Sequence, residues 1–362
     1  VAVVGGGPAG MAAAYYLARL GAKVTIYEKR ERLGGVVSAI IPNFRIDDSV
    51  IAKDAALLEK LGVKVLYNTE APAVDVLKKE YDSVILAVGA YKRGELKLEG
   101  GEAQNALAFL EDYNRTNGKM AIGKNVVVIG GGNVAIDVAR DSKRCGDSNV
   151  SMYCLESRET MPASVEEIEE AESEGIQVNC GWGPKEILTE DGKVTGIVLK
   201  KCVSVKDAEG RFNPTYDENE TITVACKHVF LSVGQSIVWG DLLDGQKVVL
   251  GRGNGAVADP LTYQTAEPDI FVGGDVYTGP KFAIDAIAAG KEAAISIHRF
   301  VQPHTSLTIG RNRNDFIELN KDDISVEHYD NSSRQIPGHD NSVDRKSFRD
   351  ATLVFTEEQV KA

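Results

Sequence analysis

Val1-Ala-Val-Val-Gly-Gly-Gly-Pro-Ala-Gly10 opens the chain, and Val126-Val-Val-Ile-Gly-Gly-Gly-Asn-Val-Ala135 nearly repeats it. In each copy a short apolar run reads as a buried strand, a glycine-rich turn follows, and the next residues open a helix. The turn needs its small residues for separate reasons. Gly5 allows the sharp exit from the strand, Gly7 leaves room for a pyrophosphate against the backbone, and Gly10 lets the helix pack close on the sheet. The anion then sits on free N–H groups at a helix N-terminus.

Working outward from the first turn, Val24-Thr-Ile-Tyr-Glu28 reads as the next strand, and its acid stands 18 residues beyond Gly10. That is close to the roughly 20 expected for a carboxylate that accepts from a ribose hydroxyl. A plain strand-to-helix loop and a solvated Glu28 is the competing reading, against which strand, glycines, helix and acid stand together. The second turn is followed by Val150-Ser-Met-Tyr-Cys-Leu-Glu156, with the acid 21 residues past Ala135. A carboxylate there accepts from the 2′-hydroxyl of NAD and repels the 2′-phosphate of NADP, which favours NADH. Arg158, two residues on, is the complication, because a guanidinium suits that phosphate.

The duplicated β-α-β logic is the organising feature. It predicts an α/β chain with two Rossmann-like dinucleotide-binding domains. Alternating runs and turns from Glu186 to Val233, with Asp191-Gly192 and Glu209-Gly210 as turn signals, predict a β-meander insertion. Apolar strands tipped by small residues recur at Tyr81–Ala90, Val229–Gln235 and Ile270–Asp275. The expected division is 1–95 with 241–305 as one discontinuous domain, 96–240 as the other, and 306–362 as an extended polar tail with few core contacts. Ile41-Pro-Asn-Phe-Arg45 reads either as lining for a flavin ring or as a packed loop. The Glu-rich helix over 165–174 reads as a solvated face. Asp275 suits either ribityl hydroxyls or the cap of the Ala-rich helix after it.

At 362 residues with a formal net charge of −12, the chain has room for two cores and repels phosphodiesters, so no nucleic-acid partner is expected. No apolar run reaches 18 residues, so no membrane span is expected, and an odd number of widely spaced cysteines reads as a reducing, cytoplasmic setting. The five cysteines are odd in number and scattered, with no C-x-x-C, and the five histidines form no metal-spaced pair. Each therefore reads as structural, and no metal site is expected. The chain starts without Met at the first residue of a strand, which reads as a piece of a longer protein.

Seven motifs in order, Gly5–Gly10, Leu33-Gly-Gly35, Val88-Gly-Ala90, Gly130–Ala135, Met161-Pro-Ala163, Val233-Gly-Gln235 and Gly273-Gly-Asp275, resemble the two-dinucleotide-binding-domain flavoproteins. More narrowly they resemble the glutamate synthase small-subunit type, which includes the reductase half of dihydropyrimidine dehydrogenase and proteins labelled putative selenate reductase subunits. The resemblance covers roughly residues 1–300. It implies an NAD(P)H-dependent, FAD-containing oxidoreductase in which hydride passes to flavin N5 and electrons leave singly through iron–sulfur clusters. Those clusters would lie in a domain or subunit outside this chain.

Carried over by position, the resemblance gives Gly5, Gly7, Pro8, Ala9, Gly10, Glu28, Lys29, Gly35 and Val36 to FAD, together with Arg45, Gly89, Gly274, Asp275, Lys281 and Ala283. It gives Gly130, Gly132, Asn133, Val134, Ala135, Glu156, Arg158, Gly234 and Gln235 to NAD(P). No catalytic side chain is expected, because the chemistry is the flavin's. Two departures stand out. Leu155 and Glu156 replace the Arg pair suited to NADPH in many members, and the cluster-binding cysteines are absent. A non-catalytic FAD-binding assembly subunit is the alternative, and a disulfide reductase would need a dithiol near the flavin.

Overall fold

A computed structural model describes residues 1–94, 96–146, 149–311, 317, 319–325, 327–328, 333–344 and 349–361. Its first sheet is parallel and five-stranded, in the spatial order Ile270–Val272, Val84–Leu86, Ala2–Val4, Thr25–Tyr27, Lys64–Leu66. The strands at 2–4, 84–86 and 270–272 are short apolar runs buried on both faces, as a parallel sheet covered by helices requires, while Lys64–Leu66 is a partly exposed edge. The second sheet, also parallel and five-stranded, runs Gln104–Asn105, His228–Leu231, Val126–Ile129, Val150–Cys154, Gln177–Cys180. In each sheet the glycine-turn strand has one neighbour on the next β-α-β unit and another from much later in the chain. That reversal is the switch point outside whose carboxyl ends ligands bind.

The meander is three antiparallel strands, Trp182–Glu190, Lys193–Lys206 and Phe212–Ala225. It starts before Glu186 and ends before Val229, because His228–Leu231 returns to the second parallel sheet. The two chain crossings between the sheets pair with each other, Gln235 opposite Arg93 and Ser236 opposite Lys92.

Helix Pro8–Arg19 starts with proline at its first turn, where the missing N–H costs nothing, and buries Ala9, Gly10, Ala13, Ala14 and Leu17. Its neighbour is helix Ala283–Phe300, which reaches it through Gly290. A Cβ at Gly290 would overlap the Ala9 carbonyl oxygen, so only glycine permits this approach. Large parts of the tail expected over 306–362 lie outside the described residues. Within the described part, Arg311 donates to the Leu261 carbonyl at 3.0 Å and Val343 is buried. Arg311 therefore packs on the body.

Candidate nucleotide-binding site

The first turn opens into a cavity of about 470 Å³ at the carboxyl ends of the first sheet. Gly5, Gly7, Pro8 and Ala9 form one wall, and Glu28 and Lys29 stand at the tip of the second strand. Gly35 and Val36 close on the turn from the Leu-Gly-Gly loop. Gly89, Gly274, Asp275, Lys281 and Ala283 line the opposite side, brought there by the strands at 84–86 and 270–272. Gly10 lies behind the cavity rather than in it. A Cβ there would overlap the Gly5 carbonyl oxygen, which is the close helix-to-strand approach that its position in the motif calls for.

Glu28 is 5% exposed and both of its carboxylate oxygens are engaged. Oε2 accepts from the Gly6 amide and Oε1 from the Arg30 amide, each at 2.8 Å. The two bonds fix the carboxylate at the cavity edge and leave lone pairs for further donors, as two ribose hydroxyls would be. Burial raises the Asp275 carboxyl above its ordinary value, and an N–H donated by the Lys281 backbone pulls it back. Asp275 does not cap helix Ala283–Phe300. That role falls to Asp285, whose Oδ2 accepts from the Phe282 amide at 3.2 Å.

Arg45, expected among the FAD residues, is elsewhere. Its guanidinium donates to Asp137 Oδ1 at 2.6 Å and to both oxygens of Glu167, reaching from the first unit into the second. A partly buried guanidinium has better partners in two largely desolvated carboxylates than in an apolar ring. Burial raises the Asp137 carboxyl to about 6, while Arg45 opposes the shift. The Glu-rich helix, Val165–Ser173, is not a solvated face either. Glu167, Glu170 and the following Glu174 pair with Arg140, and Glu174 also pairs with Arg144.

Sequence reasoning missed Arg30, Tyr91, Trp239 and Asp241, all of which line the cavity. Arg30 stacks 4.6 Å over the Tyr91 ring and pairs with Glu111 of the second unit. Tyr91 donates to the same carboxylate at 3.0 Å. Arg30 and Tyr91 adjoin the motif residues Lys29 and Gly89-Ala90, which was the available signal. Trp239 and Asp241 have none, since they arrive on a crossing segment.

In the second turn Gly130 has φ +144° and a Cβ there would overlap the Ser232 carbonyl oxygen, whereas a Cβ at Gly132 would meet open space. Gly132 thus leaves the backbone approachable. Val134 and the fully buried Ala135 lie in the helix that follows, Asn133–Arg144. Asn133 Oδ1 accepts from the Ser164 amide at 3.0 Å, and Gly131 accepts from the Ala163 amide at 3.0 Å. These two bonds explain the Met161-Pro-Ala163 motif as a loop strapped onto the turn. Glu156 lies half-buried at the strand tip, so close that a Cβ at Gly131 would stand 2.9 Å from its Oε2. Arg158 is held in a two-pronged pair with Glu172, 2.8 Å at each contact. Gln235 sits on the crossing strand that pairs with residues 92–93, and Gly234, just before it, accepts from the Gly94 amide at 2.9 Å.

Each glycine turn presents approachable backbone N–H groups at a helix N-terminus, which suits the pyrophosphate of a dinucleotide. The model of the family described as pyridine nucleotide-disulphide oxidoreductase matches residues 1–290. The NADP(+)-dependent formate dehydrogenase subunit beta of Moorella thermoacetica is 34% identical over 320 residues, covering 84% of this chain and 44% of that protein. The glutamate synthase [NADPH] small chain of Azospirillum brasilense is 31% identical over 322 residues, covering 83% of this chain and 66% of that protein. The chain therefore spans less than two thirds of either relative. In fold it resembles Mycobacterium tuberculosis FprA in complex with NADPH, with a TM-score of 0.67 at 19% identity over 83% of each chain. No helix among the described residues is long and apolar enough to cross a membrane. The chain belongs to the pyridine nucleotide-disulphide oxidoreductase family.

Proposed function

We propose that this chain is the reductase section of a larger cytoplasmic enzyme. It takes hydride from NADH onto FAD and hands electrons to iron–sulfur clusters in another section or subunit. When bound, FAD supplies the conversion of a two-electron donor into single electrons. Residues 1–95 with 241–305 would hold FAD, and 96–240 the nicotinamide nucleotide. The observation that carries this reading is the pinned Glu28 at the mouth of a cavity built by the first turn, with a second acid-tipped turn in the same chain.

The residues' tasks follow from their chemistry. Gly5 to Ala9 would present backbone N–H groups to pyrophosphate, and Glu28 would fix the adenosine ribose. The crossing segments at 89–93 and 234–239 would hold the two rings at reacting distance, roughly 3–3.5 Å. Asp275 stands where ribityl hydroxyls would pass. The lean to NADH rests on Glu156, which would repel a 2′-phosphate, and on Glu172, which already occupies Arg158. The relatives named above carry NADP or NADPH in their names, so the lean to NADH rests on this chain's own Glu156 and Arg158.

The test is rapid-mixing reduction of the full-length protein under anaerobic conditions, with iron and sulfide analysis of the same preparation. NADH is expected to reduce the flavin at least tenfold more efficiently than NADPH, one good charge interaction being worth about that factor. Equal or reversed preference removes the NADH assignment. A protein without iron and sulfide removes the proposed acceptor, and one that binds NADH yet stays oxidised is an assembly subunit.

A further inference from the structure

The sequence spaces its cysteines too widely for any dithiol motif, yet the parallel register of the second sheet sets Cys154 directly opposite Cys180. Their Sγ atoms lie 3.8 Å apart and both thiols are free. Paired strands stand about 4.7–4.9 Å apart, inside the Cα separation of about 4.4–6.8 Å that a disulfide requires. Closing the sulfurs to about 2.05 Å is therefore a movement of less than 2 Å, within reach of side-chain rotation and a small shift of two strand ends. Cys154 is 3% exposed, and Cys180, half-buried, sets its sulfur between the Cys154 sulfur and Met161 Sδ, 3.7 Å away.

We propose that Cys154 and Cys180 are an oxidation site, joined by hydrogen peroxide into a reversible disulfide that weakens nucleotide binding at Glu156. The Cys180 sulfur attacks one peroxide oxygen, the O–O bond breaks, and a sulfenic acid and one water result. The Cys154 sulfur then attacks the Cys180 sulfur, and the departing hydroxide leaves with the thiol proton as a second water. Two thiols lose two electrons in all and one peroxide gains them. Burial raises the Cys154 thiol well above its ordinary range, with Cys180 adding to the shift, so the second step quickens as pH rises.

The coupling to the nucleotide follows from what the two strand ends share. The Glu156 carbonyl accepts from the Gly181 amide at 3.0 Å and from the Cys154 thiol at 3.8 Å. Oxidation removes that S–H and draws Cys180, the neighbour of Gly181, toward the strand that carries Glu156. The carboxylate then moves relative to the turn. This coupling rests on the reading of Glu156 as the ribose acceptor, whereas formation of the disulfide does not.

The experiment exposes the FAD-loaded chain to hydrogen peroxide, quenches with an alkylating reagent, and maps peptides without reductant. NADH affinity is measured before oxidation, after it, and after dithiothreitol. The expected result is a Cys154–Cys180 linked peptide and about tenfold weaker NADH binding, the scale of a displaced bond to a charged group, restored by dithiothreitol. Cys180→Ser, at the more exposed position, abolishes both changes, and Cys154→Ser is the second variant. Recovery of both thiols alkylated, over-oxidation of Cys180 without a link, or a link to Cys202 instead overturns the proposal. A link with unchanged NADH affinity overturns the coupling. An unoxidised protein that does not bind NADH contradicts the nucleotide reading itself, and the peptide map still decides the disulfide.

Discussion

The two halves of this molecule use one design and finish it differently. In the first, helix Pro8–Arg19 buries small apolar residues against helix Ala283–Phe300, and the acid at the strand tip is pinned by two backbone amides. In the second, helix Asn133–Arg144 buries Asp137, Arg140, Asp141 and Ser142, and the acid at the strand tip stands half-buried. The first turn lines a cavity of about 470 Å³, and the second leaves open space at Gly132. A walled cavity suits a ligand that stays, and an approachable turn suits one that must come and go. The charge carried by the second helix also has a use, since it grips the first unit through Arg45.

That grip offers the largest expected effect. Arg45→Ala removes the guanidinium bonded to both Asp137 and Glu167, side chains 10% and 19% exposed, and a loss of about 3 kcal/mol in unfolding free energy is expected from chemical denaturation. An unchanged midpoint would mean that the halves are joined by something else. Next, the third turn position separates the two copies. Gly10→Ala is expected to cost about 1–3 kcal/mol by overpacking and to lower the FAD recovered per chain, whereas Ala135→Gly costs about 1 kcal/mol, the helix propensity alone. Equal effects would erase the distinction in packing. Glu28→Gln is expected to weaken FAD by roughly tenfold or more in an ultrafiltration or calorimetric titration, a charged acceptor being replaced by a neutral one.

A subtler difference is in pH. Asp137 has its folded value raised to about 6, above the ordinary carboxylate value of an unfolded chain, so the folded protein holds that proton more tightly. Its contribution is complete below about pH 4 and is lost as pH rises through about 6. Asp137→Asn should flatten that part of the stability profile, and an unaltered slope would place the titration elsewhere. No equivalent buried acid stands on the first helix.

The contrast also shows what the residues alone disclose. Turn, helix and acid lie within about 30 consecutive residues, so strand pattern, glycine spacing and charge reveal them twice over. Arg45 was not legible, because its partners are 92 and 122 residues away and only the folded chain supplies them. The same holds for the Glu-rich helix, whose periodicity matches a solvated face until Arg140 and Arg144 arrive on its flank. Cys154 and Cys180 read as scattered residues because strand register, not spacing, brings them together. Trp239 and Asp241 escape notice for a related reason: crossing segments carry no period of their own.

The most direct measurement is an anaerobic titration of the FAD-loaded chain with NADH, followed in the flavin absorbance band. One equivalent is expected to bleach the band fully, because both turns serve a single transfer. A flavin that keeps its colour in the presence of excess NADH and of excess NADPH would contradict the account.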